Sequence, residues 1–295
     1  MKTEDFALDL RRCLTPHHHL GVTSGWTVVQ PLMPTVCGVA ECFSPPLAAR
    51  GFRLRLDFTV NGRRVVDDGN TGKGDCGLLY AGGIWQPDQI VRRGTYHHRP
   101  SGQLLSFEVE SRLTPLYGRA GFLLEVTLRN RSGRALDVVV APQVEPGCPA
   151  VVPLSQWDYG IPGAGAAAHQ TAADAWGSDA VAVRLFRDQE SLTLESDTQG
   201  RLALAVVLAE AGADMPKHAD FDAWRQETVA AWQRRLTAAS AMPTLESDVP
   251  GLAEYYRRSV ASALVCLWDR PDFVCRPFVA TCGMDGGGIC TYPWD

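Results

Sequence analysis

The residues best suited to chemistry stand near the end of the 295-residue sequence, where a glycine-rich run, Cys282-Gly-Met-Asp-Gly-Gly-Gly288, leads into Tyr292-Pro-Trp-Asp295. A pyranose ring has an apolar face and a girdle of hydroxyls. A Trp or Tyr stacked on that face, beside a carboxylate that accepts hydroxyl hydrogens, therefore binds it well. Glycines let backbone pass close to a ligand or turn sharply between elements. On this chemistry Tyr292, Trp294 and Asp295 are candidate substrate-binding residues, joined by Asp285 of the glycine-rich run and by Arg276. The planar guanidinium of Arg276 can pair a carboxylate or meet sugar hydroxyls. The plain alternative places Trp294 in a core, Asp295 as the N-cap of a following helix, and Arg276 in solvent. No catalytic residue can be named from this set.

Other reactive residues give weaker signals. His17-His18-His19 follows Pro16 with no nearby carboxylate and reads as a surface turn, since a metal wants convergent ligands and a second shell. His97-His98 reads as sandwich packing rather than a metal site. The nine cysteines contain no CxxC pair, and Cys275, Cys282 and Cys290 are spaced too widely for a compact zinc site. They read as reduced, buried, apolar residues. Trp85, in Gly82-Gly-Ile-Trp-Gln-Pro-Asp88, reads as a loop residue that either lids the core or lines a groove with Asp88. Neither a metal nor an organic cofactor is implied. GxSxG, P-loop, HExxH and dinucleotide fingerprints are all missing from the sequence.

The elements that must position these residues change character once along the chain. From about residue 20 to about 213 the pattern is of strands. Phe52–Val60 alternates apolar and polar residues, and Asn61-Gly62 supplies a type I′ turn into Arg63–Val66. Leu104–Val109, Phe122–Leu128, Ala135–Val140, Val181–Phe186, Ser191–Glu195 and Leu202–Leu208 continue it, while the Pro-, Gly- and Ala-rich Pro146–Gly177 reads as a long loop. Many short strands with turns between them predict a mainly β fold, a large antiparallel sandwich.

After Met215-Pro216 the period becomes helical. Asp220 is an N-cap, and Phe221, Trp224, Thr228, Trp232 and Leu236 repeat at three- and four-residue steps. A second helix is predicted from Asp248-Val-Pro250, with a stripe of Leu252, Tyr255, Tyr256, Val260, Ala263, Leu264 and Leu267. The predicted division is a sandwich over 1–215, a linker helix over 216–243, and the start of a helical domain over 244–295. Large apolar side chains on such a stripe contribute roughly 1.5–3 kcal/mol each when fully buried. One helix cannot bury them alone, so the sequence is expected to be the opening part of a longer protein.

Whole-chain numbers exclude other classes. Hydrophobic residues make up 45% and charged residues 21%, which fits a folded globular chain. A net charge of −5, with basic residues in pairs rather than blocks, gives no footprint for nucleic acid. No apolar run is long enough to span a membrane, and the charged start MKTEDFALDLRRCL lacks a signal-peptide block, so the expectation is a cytoplasmic protein without a membrane partner.

The strand-rich first part, the helix with Trp224 and Trp232, and the second helix leading to Gly283-Met-Asp-Gly-Gly-Gly-Ile-Cys-Thr-Tyr-Pro-Trp-Asp295 together resemble the six-hairpin clan of glucoamylase-type glycoside hydrolases. That resemblance implies an N-terminal β-supersandwich followed by the start of an (α/α)6 barrel. It implies a carbohydrate substrate, with Asp295 holding a sugar beside Tyr292 and Trp294. Glycoside hydrolysis uses two carboxyl groups, roughly 6.5–9.5 Å apart in inverting enzymes. In the resembled clan both come from later barrel hairpins, so this chain is expected to lack the acid–base pair. Attack by phosphate instead of water is an alternative, and so is a non-catalytic module binding a glycan or a protein.

Overall fold

The computed structural model describes residues 2–11, 21–69, 77–98, 104–151, 166–271, 273 and 276–279. After a 3₁₀ turn at Thr3–Phe6 come β1 (Leu8–Asp9), β2 (Val22–Thr23), β3 (Val28–Pro31), β4 (Val39–Ser44), β5 (Leu47–Arg50) and β6 (Arg53–Val60). They are followed by β7 (Arg63–Val66), β8 (Leu79–Gln86), β9 (Gln89–His98), β10 (Leu105–Pro115), β11 (Ala120–Asn130) and β12 (Leu136–Glu145). The strand-rich part ends with β13 (Cys148–Val151), β14 (His169–Ala172), β15 (Ala175–Gly177), β16 (Val181–Arg187), β17 (Ser191–Leu194) and β18 (Gln199–Glu210). Then come α1 (Phe221–Ala239), α2 (Leu252–Val265), β19 (Leu267–Trp268) and β20 (Phe278–Val279). The fold is mainly β, followed by helices, as the strand pattern predicts.

The strands form two antiparallel sheets. One runs β1-β8-β9-β10-β11-β18-β16-β15-β14. The other runs β13-β5-β4-β6-β12-β17, with β3 joining β2 to β4 and β7 flanking β6. Alternation decides which face of each strand is inside. Leu54, Leu56, Phe58 and Val60 of β6 meet Val109, Leu113, Leu124, Val126 and Leu128 of β10 and β11 in one continuous core. Phe52 meets Phe122 edge-on across the two sheets at 5.8 Å. Asn61 and Gly62 both have positive φ, 48° and 80°, and close β6 onto β7 with Val60 opposite Arg63. This is the geometry a type I′ turn requires.

The outer face of the first sheet grades from apolar to charged. Along β11 its outward residues are Leu123, Glu125, Thr127 and Arg129, opposite Ala205, Ala203, Arg201 and Gln199 of β18. Helix α1 lies over the apolar end. Asp220 caps it by accepting from Ala223 N at 3.0 Å, and Trp224 packs with Leu116, Leu123, Phe186, Ala205 and Val207. Thr228 Oγ1 donates to Pro115 O at 2.7 Å, and Trp232 Nε1 to Thr23 O at 2.6 Å. The predicted face Trp224, Thr228, Trp232 and Leu236 is the buried one.

Three expectations are corrected. Pro146–Gly177 contains β13, β14 and β15 rather than one long loop; β14 is exposed along its length, so no alternation marks it. Helix α2 begins at Leu252 behind Gly251 in the left-handed region, with no side-chain cap from Asp248. Its buried residues are Ala261 and Val265, which meet Phe6, Trp232 and Leu236, whereas Tyr255 is 70% exposed. Small residues suffice there because the bulky partners are on α1. Trp85 lies on β8 rather than in a loop, and its indole donates to Gly21 O at 3.0 Å. No helix among the described residues is long and apolar enough to cross a membrane.

Candidate functional site

Three segments far apart in sequence converge where the sandwich rim meets the helices. The first is the turn between β2 and β3, organised by Ser24: its Oγ accepts from Thr27 N at 3.0 Å and donates to Leu116 O at 2.7 Å. This fixes Gly25 and Trp26. The second is the β10–β11 turn, which carries Tyr117. The third is the stretch after α2, where Asp269 N donates to Gly25 O at 2.9 Å. The outcome is an aromatic and charged cluster built from residues as far apart in sequence as Trp26 and Arg270.

The half-buried rings of Trp26 and Tyr117 meet edge-on at 5.7 Å. The Arg270 guanidinium stacks 4.7 Å above Trp26 and donates from Nη1 to Ser44 Oγ at 2.9 Å, which explains how this arginine is tolerated at 7% exposure. Arg234 lies 5.4 Å from the Tyr117 ring. Asp269 is the centre of charge. Its Oδ1 accepts from Arg276 Nε at 2.9 Å and its Oδ2 from the Tyr117 hydroxyl at 3.2 Å. Burial by itself would raise the Asp269 carboxyl, but the hydrogen bond and charge of Arg276, the Tyr117 hydroxyl and the charge of Arg235 outweigh it. The carboxyl is held below the ordinary carboxylate range, ionised, with both oxygens engaged. It is a latch, not a proton donor.

Arg235 lies behind this cluster, 8% exposed, with neither Nη1 nor Nη2 hydrogen-bonded among the described residues. Burial pushes its guanidinium down to about 10, partly opposed by Asp269 and Tyr117. It stacks 5.2 Å from Trp232 and lies flat against Gly25, where an added Cβ would fall 1.4 Å from Nη2.

The latch has a positional consequence. Trp268 pairs with Phe278 and Leu267 with Val279 across β19 and β20. Phe273 contacts Trp268 at 6.4 Å and Phe278 at 5.7 Å between ring centres. Asp269–Arg276 ties the two limbs of that hairpin together.

Of the five candidate binding residues, Arg276 falls in this cluster, paired to Asp269. Asp285, Tyr292, Trp294 and Asp295 lie outside the described residues, as do His17, His18, His19, Cys275, Cys282 and Cys290. Among the described residues no three His, Cys, Asp or Glu side chains come together as a metal site. His97 Nδ1 is 2.6 Å from Ser106 Oγ. Sequence reasoning passed over Trp26, Tyr117, Asp269 and Arg270. The signal that could have found Asp269 is Trp268-Asp269, itself an aromatic–acid pair just after α2.

No family model matches the sequence, and no curated protein matches it. Among solved structures the chain is similar to a protein described as a candidate kojibiose phosphorylase from the human microbiome. The two are 8% identical with a TM-score of 0.41, over 90% of this chain and 39% of that one. This chain therefore spans about two fifths of the length of the solved chain it matches.

Proposed function

We propose that the chain is the sandwich and opening helices of a carbohydrate-active enzyme of the six-hairpin glycosidase type, supplying one wall of a sugar site and not the acid–base pair. The observation that carries this reading is the order of parts. A sandwich is followed by a helix seated on the outer face of its first sheet, a second helix and a latched hairpin, with Asp285, Tyr292, Trp294 and Asp295 next in sequence. In this reading the second helix opens a helical barrel, and residues 280–295 bind the sugar. Tyr292 and Trp294 stack on a ring, and Asp295 accepts its hydroxyl hydrogens.

Three carboxylates among the described residues are held by protein donors. Asp67 accepts from the Val36 and Cys37 amides at 2.8 and 2.6 Å, Asp269 from Arg276 and Tyr117, and Glu125 from Arg201 and Arg225. A cytoplasmic setting suits the free thiols of Cys37, Cys42, Cys148 and Cys266. The test is to offer the purified chain α- and β-linked glucose disaccharides, with and without phosphate. Binding without turnover, lost in Trp294→Ala and Asp295→Asn, is expected; turnover by this chain alone contradicts the reading.

A further inference from the structure

The N-terminal 3₁₀ turn touches the sandwich and both helices at once. Lys2 N donates to Asp5 Oδ2 at 2.8 Å and Ala7 N to Glu4 O at 3.2 Å, so the turn is closed on itself. From it Phe6, 3% exposed, reaches into the cluster of Trp232 and Leu236 of α1 with Ala261 and Val265 of α2. Trp85 of β8 and Leu264 pack at its margin. The buried residues of α2 are Ala261 and Val265, both small, so the Phe6 ring is a large part of the apolar surface that seats this helix. Beyond the turn the chain is held by the sheet: Leu8 and Asp9 pair with Trp85 and Ile84, and Leu10 N donates to Gly83 O at 2.9 Å.

The same turn covers Asp88, which lies between β8 and β9 and is 4% exposed, its Oδ1 without a hydrogen bond among the described residues. The groups acting on its carboxyl are its own backbone amide, Glu4 and Thr3 of the N-terminal turn, and Arg112 of β10. Burial raises the carboxyl to about 6 and Glu4 adds to the rise, while the amide, Thr3 and Arg112 oppose it. Lifting the turn takes Glu4 and Thr3 away and lets water in, which returns the carboxyl toward its ordinary value of 3.8. Seating of the turn is therefore coupled to proton uptake. Its contribution is largest at the acid end, falls as pH rises toward about 6, and is flat above.

We infer that the N-terminal turn is a proton-sensitive strap: Phe6 holds α2 against α1, and loss of the proton from Asp88 beneath it loosens that hold. The strap does not rest on the sugar-binding role proposed for residues 280–295. Hydrogen exchange of the full chain at about pH 5 and 7.5, corrected for the intrinsic rate, tests it at the amides of Ala7 and of α2. Protection at both places is expected to fall about three- to tenfold between the two pH values, and to stay level in Asp88→Asn. Glu4→Gln, at an exposed position, should reduce the fall without disturbing the fold. Phe6→Ala should lower protection of α2 at both pH values, and Phe6→Leu, which refills the seat, should restore part of it. Equal protection at both pH values in the parent overturns the inference, as does a fall of the same size in Asp88→Asn. So does α2 protection unchanged in Phe6→Ala. Protection of Ala7 equal to that of the β11 amides would mean that the turn opens only with the whole sandwich, and overturns it too.

Discussion

The indole of Trp232 donates to the carbonyl of Thr23 at 2.6 Å, joining residues 209 positions apart. This one bond fastens the middle of α1 to the rim of the sandwich, and the ring beside it forms the floor on which Ala261 and Val265 of α2 rest. The bond acts beside the Thr228–Pro115 and Asp269–Gly25 bonds, which tie the helical part to the sandwich at other points.

Trp232→Ala is therefore expected to cost about 3–5 kcal/mol in urea unfolding, the usual range for a large ring removed from a full core. Trp232→Phe keeps most of the packing but leaves the Thr23 carbonyl buried and unpaired, for a loss of about 1–3 kcal/mol. Equal stability of Trp232→Phe and the parent would show that the hydrogen bond contributes nothing.

Gly25 and Arg235 form a second coupled pair. Gly25 has φ +74°, and a Cβ there would overlap the Arg235 guanidinium. Gly25→Ala should destabilise by more than about 2 kcal/mol, from left-handed backbone and overlap together. In an Arg235→Leu background the overlap disappears, so the same change should cost less by about 0.5–3 kcal/mol, measured as a double-mutant cycle. A cycle that closes with no coupling contradicts the contact.

Asp88 gives a pH signature. It is 4% exposed in the β8–β9 turn, and its Oδ1 has no hydrogen-bond partner among the described residues. Burial raises its carboxyl from 3.8 to about 6; its own backbone amide opposes the shift, Glu4 adds to it, and Thr3 and Arg112 reduce it. Between about pH 4 and 6 the folded chain thus holds a proton that the unfolded chain has lost. Its contribution favours folding at the acid end, falls as pH rises through that window, and is flat above it. Asp88→Asn should flatten this slope and raise stability at pH 7 by about 1–3 kcal/mol. An unchanged slope in unfolding curves from pH 4 to 7 contradicts it.

The parts of this fold that follow local rules were legible in the sequence. Phe52–Val60 alternates because one face of β6 is core, Asn61-Gly62 closes its hairpin, and the Trp224–Leu236 stripe is the face of α1 that docks. What escaped depends on distant partners. The exposed β14 has no apolar face to show. Of the stripe expected on α2, Leu264 packs against the cluster of Trp232 and Leu236 while Leu252, Tyr255 and Ala263 face solvent, and the fully buried positions are Ala261 and Val265, one residue off that stripe. Asp269 meets Tyr117 across 152 residues, and nothing local to either announces the pairing.

The central proposal is that Tyr292, Trp294 and Asp295 bind a sugar. Its most direct test is calorimetric titration of the purified chain with glucose disaccharides, compared across Asp295→Asn, Trp294→Ala and Asp269→Asn. Measurable binding by the parent is expected to be lost in the first two and weakened in the third, where Arg276 loses its ionic partner and only one acceptor oxygen remains for Arg276 and Tyr117. Absence of binding by the parent, or binding unchanged in Asp295→Asn and Trp294→Ala, would contradict it.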